Sequence, residues 1–262
     1  MTVFVKEMKF GLKALCIWTA SIAFMFIVCI FLFPEMKNQM GDITDLFANM
    51  GGFTEAFGMD RLSFGDLMGF YGIECGNMLS IGGAFFAAFI GISALSKEEK
   101  DRTAEFLLTH PISRVSVISQ KLFSVLTQIL ILNAVVLAVS LVSIAAIGEE
   151  ADIKGLMLLH LAHLILQVEI ACVCFGISAF IKGGSIGIGL GMAAVFYFLN
   201  IICNISEQAE FLQYVTPFAY ADASTIIPDG ALKTEFILIG LGIATVFTAA
   251  GFIKYAKKDI AA

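Results

Sequence analysis

Residues 122–147 read LFSVLTQILILNAVVLAVSLVSIAAI, 26 positions without a charged side chain. A helix needs about 20 apolar residues to cross a hydrocarbon core about 30 Å thick. This run is long enough to cross with tilt, or to begin in the interface. It does not alternate apolar with polar, as a barrel strand must. Five similar runs flank it, at 14–33, 75–95, 156–181 (interrupted by Glu169), 186–203 and 236–253. Composition agrees. Of 262 residues, 59% are apolar and 15% charged, and mean hydropathy is +0.91, against about 45–50% apolar and about 25% charged in a soluble domain. A water-soluble single-core enzyme and a disordered chain are both excluded. A net charge of −6 and a pI near 5.1 exclude nucleic acid as the main partner, since a face for it must neutralise phosphates. The predicted fold is all-α and polytopic in the membrane: one domain over 1–262, with six transmembrane helices, an N-terminal interfacial helix at 2–13 and an elbow at 96–121.

Lysine and arginine set the orientation, because cytoplasmic flanks carry the excess. With both ends inside, Lys37, Arg61, Lys154 and Lys233 lie outside and the other twelve lie inside. Acidic residues run the other way, 14 outside and 6 inside, with Glu74 and Glu169 in or beside the membrane. Both termini are therefore expected in the cytoplasm. The first run is too long for a signal-peptide core, and Pro34-Glu35-Met36-Lys37 offers no small-residue cleavage site, so it reads as a retained span. Cys16, Cys29, Cys75, Cys172, Cys174 and Cys203 lie in or at the edge of the runs, without a C-x-x-C pair. They read as small hydrophobes rather than metal ligands or disulfides.

Helices associate in lipid by close approach at small residues. Gly83, Ala87 and Gly91 make such a stripe in the second run, and Gly183, Gly187 and Gly191 in the fifth. Both read as packing faces. The fourth run is the most polar. His160, His163, Gln167, Cys174 and Ser178 share one side of a helical wheel, and Glu169 lies on the opposite side. The two histidines sit near the outer end and are expected to be wet there. Ionisable groups inside a membrane are costly and mark function by default. Glu169, Gln167, His163 and Glu74 are accordingly the candidate transport path.

The connecting segments carry further signals. Lys6, Lys9 and Lys13 form one stripe of an amphipathic helix expected to lie on the inner leaflet. In the outer segment 34–67, Ile43, Leu46, Phe47 and Met50 are spaced as one helical face, ended by Gly51-Gly52. The inner segment 96–121 is the longest cytoplasmic one. Ser96 and Glu99 make a capping-box pair that starts a helix, Pro111 breaks it, and Ser113 caps a second helix leading to Lys121. The product is a helix–break–helix elbow with a charged, leucine-rich surface suited to a soluble partner.

The stretch Glu98-Glu99-Lys100-Asp101-Arg102-Thr103-Ala104-Glu105-Phe106-Leu107-Leu108-Thr109-His110-Pro111-Ile112-Ser113-Arg114, with Lys121 beyond it, resembles the signature of type-2 ATP-binding-cassette (ABC) transporter permeases. That signature is an acidic run, Gly-Thr, an acid, Leu-Leu, Pro, a small hydroxyl residue, Arg and a later Lys. Arg102 stands where the family usually has Gly. Lys6-Glu7-Met8-Lys9 resembles the family's interfacial N-terminal helix, Tyr214-Val215-Thr216-Pro217-Phe218 its outer Ser/Thr-Pro-Phe segment, and Lys257-Lys258-Asp259-Ile260 its basic ending. Nearly the whole chain is covered. The resemblance implies a permease half in a prokaryotic plasma membrane that pairs with a second copy or a paralogue. Each half takes one separate nucleotide-binding ATPase subunit. Glu98, Glu99, Thr103, Glu105, Phe106, Leu107, Leu108, Pro111 and Arg114 would form the coupling helix seated in a cleft of that ATPase. No G-x-x-x-x-G-K-[ST] pattern occurs in the chain, so it is expected to be no enzyme and to hold no cofactor. ATP and Mg belong to the partner.

Walls rich in Phe, Met and Leu suit export of a lipophilic or amphipathic cargo (a drug, a lipid or a membrane-active peptide) better than a sugar polymer or an ion. Two rivals stand beside this function. A stand-alone carrier or channel would rest on Glu74 and Glu169. An intramembrane protease would need Glu98-Glu99-x-x-Arg102 to be one residue longer, or a histidine at the depth of Ser93, whereas His160 and His163 lie at the other end.

Overall fold

The computed structural model describes residues 2–38, 51–59, 61–97, 113–181 and 186–257. Six of its helices are long and apolar enough to cross a membrane: α1 (Thr2–Asn38), α2 (Leu67–Ser93), α3 (Arg114–Ile147), α4 (Ile153–Ser178), α5 (Ile186–Ile205) and α6 (Thr234–Lys257). Among the described residues there is no strand.

The ends of these helices follow from local chemistry. Ser113 Oγ accepts from the Ser116 amide at 3.2 Å to open α3, as the sequence predicts. Asp152 accepts from Lys154 N at 3.0 Å to open α4. Each cap satisfies an orphan amide of the first turn. Gly148, at φ 74, closes α3 in the left-handed conformation that glycine adopts without strain. Asp66 accepts from Met68 N and Gly69 N, both at 3.1 Å, so α2 begins at Leu67, ahead of the run that starts at Cys75. Within it, Gly72–Gly76 forms one π-helical turn that carries Glu74. Residues 2–13, expected as a separate interfacial element, are instead the first turns of α1. Nothing at Lys13 or Ala14 interrupts the ladder, and the helix runs 37 residues, past Pro34. At about 1.5 Å per residue it outreaches the hydrocarbon core.

α4 is the centre of the bundle. It packs against α2, α6 and α3, while α1 lies on α3 and α5 on α2. About two thirds (67%) of the α2 and α4 spans is buried, against 17% for α5 and 22% for α6. A helix surrounded by helices must be apolar or small on every side. Gly91 on α2 lies against the Ala171 carbonyl of α4, and Gly176 on α4 against the backbone of α6 at Phe247 and Gly251. The stripe through Gly83 and Gly91 is thus a packing face. On α5 the residue pressed against Ala88 and Ile92 is Gly189, whereas Gly191 has nothing within 4 Å. Part of the stripe expected to pack there faces outward, and Gly183 lies outside the described residues.

The outward sides of α1, α3, α5 and α6 present Phe24, Phe31, Phe123, Val142, Phe198 and Val246, each more than half exposed. In water such a belt would drive association; in a bilayer it is the lipid-facing surface. After α5 the chain makes two 3-10 segments, Glu207–Tyr214 and Pro217–Tyr220, then a short helix, Ala223–Asp229. This stretch lays Phe218 and Tyr220 back onto the bundle, where both are buried. The helical face expected over Ile43, Leu46, Phe47 and Met50 lies outside the described residues, as does the basic ending beyond Lys257.

Candidate functional site

Where α1 starts, Glu7 sits between two cations. Lys97, just past the end of α2, donates to Glu7 Oε2. Lys121 on α3 donates to Glu7 Oε1 at 3.2 Å and to the Ala94 carbonyl at 2.7 Å. The Lys121 side chain is wholly buried and that of Glu7 is 10% exposed. A lysine is tolerated at such depth only when it is paired. Two further bonds tie the same end together: the Phe4 amide donates to Gln120 Oε1 at 3.2 Å, and Arg114 Nη1 donates to the Ala256 carbonyl at 3.3 Å. Lys97 lies at the start of the predicted elbow and Lys121 at its end. The junction therefore fastens both feet of that segment to α1, and Arg114 fastens the second foot to α6. Of the predicted coupling residues Arg114 is described; Glu98, Glu99, Thr103, Glu105, Phe106, Leu107, Leu108 and Pro111 lie outside the described residues.

A second polar feature follows α4. The Tyr71 hydroxyl meets Ser140 Oγ at 2.8 Å and His160 Nε2 at 2.7 Å. His163 Nδ1 donates to the Leu159 carbonyl at 2.7 Å, which leaves Nε2 to accept from Ser80 Oγ at 2.7 Å. Asn133 Nδ2 donates to Gln167 Oε1 at 2.7 Å. On the opposite side of α4, the Tyr220 hydroxyl donates to Glu169 Oε2 at 2.7 Å. The carboxylate lies over Gly240 of α6, where a Cβ would not fit. Burial, and after it the Glu169 carboxylate, push the Tyr220 phenol well above its usual range, so it remains a donor.

His160 and His163 are 5% and 1% exposed, which corrects the expectation that they are wet. Tyr71 belongs to the part of α2 ahead of the apolar run; it and Phe26 of α1 lie against the His160 ring, and Ser80 of α2 against that of His163. The candidate path residues are not brought together. His163 and Gln167 face α2 and α3, Glu169 faces α6 and the Tyr220 segment, and Glu74 is half-buried in the π-helical turn. Sequence alone missed Glu7, Tyr71, Ser80, Asn133, Ser140 and Tyr220. A signal existed for two of them, because Lys121, Ser124, Gln128, Asn133 and Ser140 all fall on the buried face of α3.

Two cavities adjoin these groups. One, of about 330 Å³, opens among α1, α2 and α3 beside the Glu7 junction. The other, near the opposite end, is bounded by Asn77, Asn200, Asn204 and Asp222 and holds about 20 Å³, room for roughly one water. Neither is lined by Glu74, His163, Gln167 or Glu169. Among the described residues no group of His, Cys, Asp and Glu is placed to hold a metal ion.

A family model described as ABC-2 family transporter protein matches residues 1–260. No curated protein matches the chain.

Proposed function

This chain belongs to the ABC-2 family of transporter proteins, and from that premise we propose that it is the permease subunit of an ATP-driven exporter for a lipophilic or amphipathic cargo. The family is that of the membrane component, so an ATPase is its partner in the transporter. In our reading that partner binds ATP and Mg, one ATPase subunit serves each of two permease copies, and the pair sits in a prokaryotic plasma membrane with its termini in the cytoplasm.

The observation that supports coupling through 96–121 is the Glu7 junction. A push on that segment acts on Lys97 and Lys121 together, and through their shared carboxylate on α1, α2 and α3. Through Arg114 it acts on α6 as well. Four of the six long helices thus respond to one lever, as a nucleotide-driven change of access requires. Of the candidate path residues, Glu169 is the one assigned to transport. Its partner Tyr220 belongs to the segment between α5 and α6 rather than to a span, so a shift of that segment uncovers the carboxyl.

The test is the ATPase rate of the complex purified with its partner and returned to lipid. Lipophilic drugs, lipids or amphipathic peptides raise the rate on this reading, and sugars and simple ions do not. A complex stimulated by a sugar polymer or an ion alone would contradict it.

A further inference from the structure

We propose that the cavity among α1, α2 and α3 is a binding site for an acidic phospholipid, held by its phosphate at the Lys6–Lys97 rim and by an acyl chain against Phe89, Ile90 and Val125. Its volume, about 330 Å³, falls within the range of about 300–1,000 Å³ usual for ligand sites. Apolar walls of Phe89, Ile90 and Val125 meet the charged side chains of Lys6, Glu7 and Lys97. The orientation proposed above makes the lipid one of the inner leaflet; the binding itself does not depend on that orientation.

Charge at the mouth selects the head group. Lys97 and Lys121 share the carboxylate of Glu7, and Lys6 lines the same mouth. Among the described residues Lys6 makes no ion pair. Its ammonium lies 5.8 Å from the centre of the Phe10 ring, and that of Lys97 lies 5.2 Å from the same ring. Two like charges thus gather at one exposed ring. Lys9 adds a further cation, in a shallow hollow beside Val5, Lys6 and Phe10. An anionic head group gains an ion pair with Lys6 that a neutral amphiphile does not.

Gln128 closes one side of the cavity where α3 meets α1. Gln128 is 4% exposed and lines the cavity, and its Oε1 has no hydrogen-bond partner. Its Nε2 is engaged by Ser124, and Gly11 of α1, which has no room for a Cβ, lies against the amide. A buried acceptor is costly to leave unpaired.

Trp18, the sole tryptophan, reports on this site. It lies one helical turn deeper than Ala14 on α1 and packs against Phe86 of α2, ring centres 6.3 Å apart. The full chain is reconstituted in phosphatidylcholine vesicles containing a minor fraction of either bromoacyl phosphatidylglycerol or bromoacyl phosphatidylcholine, and Trp18 quenching is measured. The phosphatidylglycerol is expected to quench at a several-fold lower mole fraction. Lys6→Gln should cut that preference about fivefold, the weight of one lysine near an anionic surface, and Ala14→Leu, which fills the cavity, should remove it. Lys13→Gln, on the same helix but outside the cavity, should leave it unchanged. Inorganic phosphate should not compete. Equal quenching by the two lipids in the parent chain overturns the proposal. So does a preference that survives both Lys6→Gln and Ala14→Leu, or one that free phosphate abolishes.

Discussion

Replacing Glu7 by Gln keeps the shape of the junction and removes its negative charge. Lys121 is then left with a wholly buried ammonium side chain whose Ala94 carbonyl bond, 2.7 Å long, remains. Removing one partner of a buried pair costs about 3–5 kcal/mol, because the other charge stays in a poor solvent. Lys97 is 28% exposed, so its pair with Glu7 adds less, about 0.2–1 kcal/mol as for a surface pair. A loss near the lower end, about 3 kcal/mol, is expected, since Gln still offers an acceptor. At about 2–4 °C per kcal/mol for a chain of this size, the unfolding midpoint should fall by about 6–12 °C. The assay is thermal unfolding in mild detergent, followed by Trp18 emission and by the loss of a monodisperse size-exclusion peak. Lys121→Met on the Glu7→Gln background removes the buried cation and should restore most of the loss, whereas Lys121→Met alone takes one of two cations from Glu7 and should not be neutral. A Glu7→Gln protein that melts within about 2 °C of its parent, or a double variant no better than the single, would refute the reasoning.

Leu107→Asp with Leu108→Asp should abolish co-purification of the ATPase while the permease still inserts, since each leucine buried in a cleft is worth about 1.5–3 kcal/mol and each aspartate adds a desolvation penalty; wild-type stoichiometry in the double variant would remove the segment from the interface. Glu169→Gln retains an acceptor for the Tyr220 hydroxyl and should insert and associate normally but change substrate-stimulated ATPase activity, while Tyr220→Phe, which strands the carboxylate, should lower thermal stability by about 1–3 kcal/mol. A wild-type transport rate and cargo preference in the Gln variant would show that the pair only holds the bundle. With the native cysteines removed, Cys at position 151 should react with an impermeant thiol reagent in intact cells, and Cys at 113 or 184 should not; labelling at 113 would reverse the topology.

The six long helices were legible because a lipid solvent forbids charge over about 20 residues, a constraint visible in any one-dimensional reading. Their starts were less so. Glu74 cuts the apolar run of α2, yet the structure seats it half-buried in a π-helical turn and begins the helix at Leu67 on the Asp66 cap. The border between residues 2–13 and the first span is a change of surroundings, not of backbone, so two expected elements are one helix. On α4 the wheel placed the histidines and Gln167 opposite Glu169, and their partners do come from opposite neighbours. Periodicity gives a side of a helix but neither its neighbour nor its depth. Tyr71 and Tyr220, which cover His160 and Glu169, lie outside the apolar runs. Glu7 pairs across 90 and 114 positions, and no local pattern encodes such a contact; the hint was a lysine on the buried face of α3 in need of an anion.

Transport in sealed vesicles is the most direct test. The permease and its co-purified ATPase are reconstituted, a fluorescent lipophilic cargo is supplied, and ATP is given only on the face that carries the ATPase. Cargo should leave that face with ATP and Mg, and should stay with a non-hydrolysable analogue or with the Leu107→Asp, Leu108→Asp permease. Equal movement by the permease alone, without ATPase or nucleotide, would contradict an ATP-driven exporter and establish a stand-alone carrier instead.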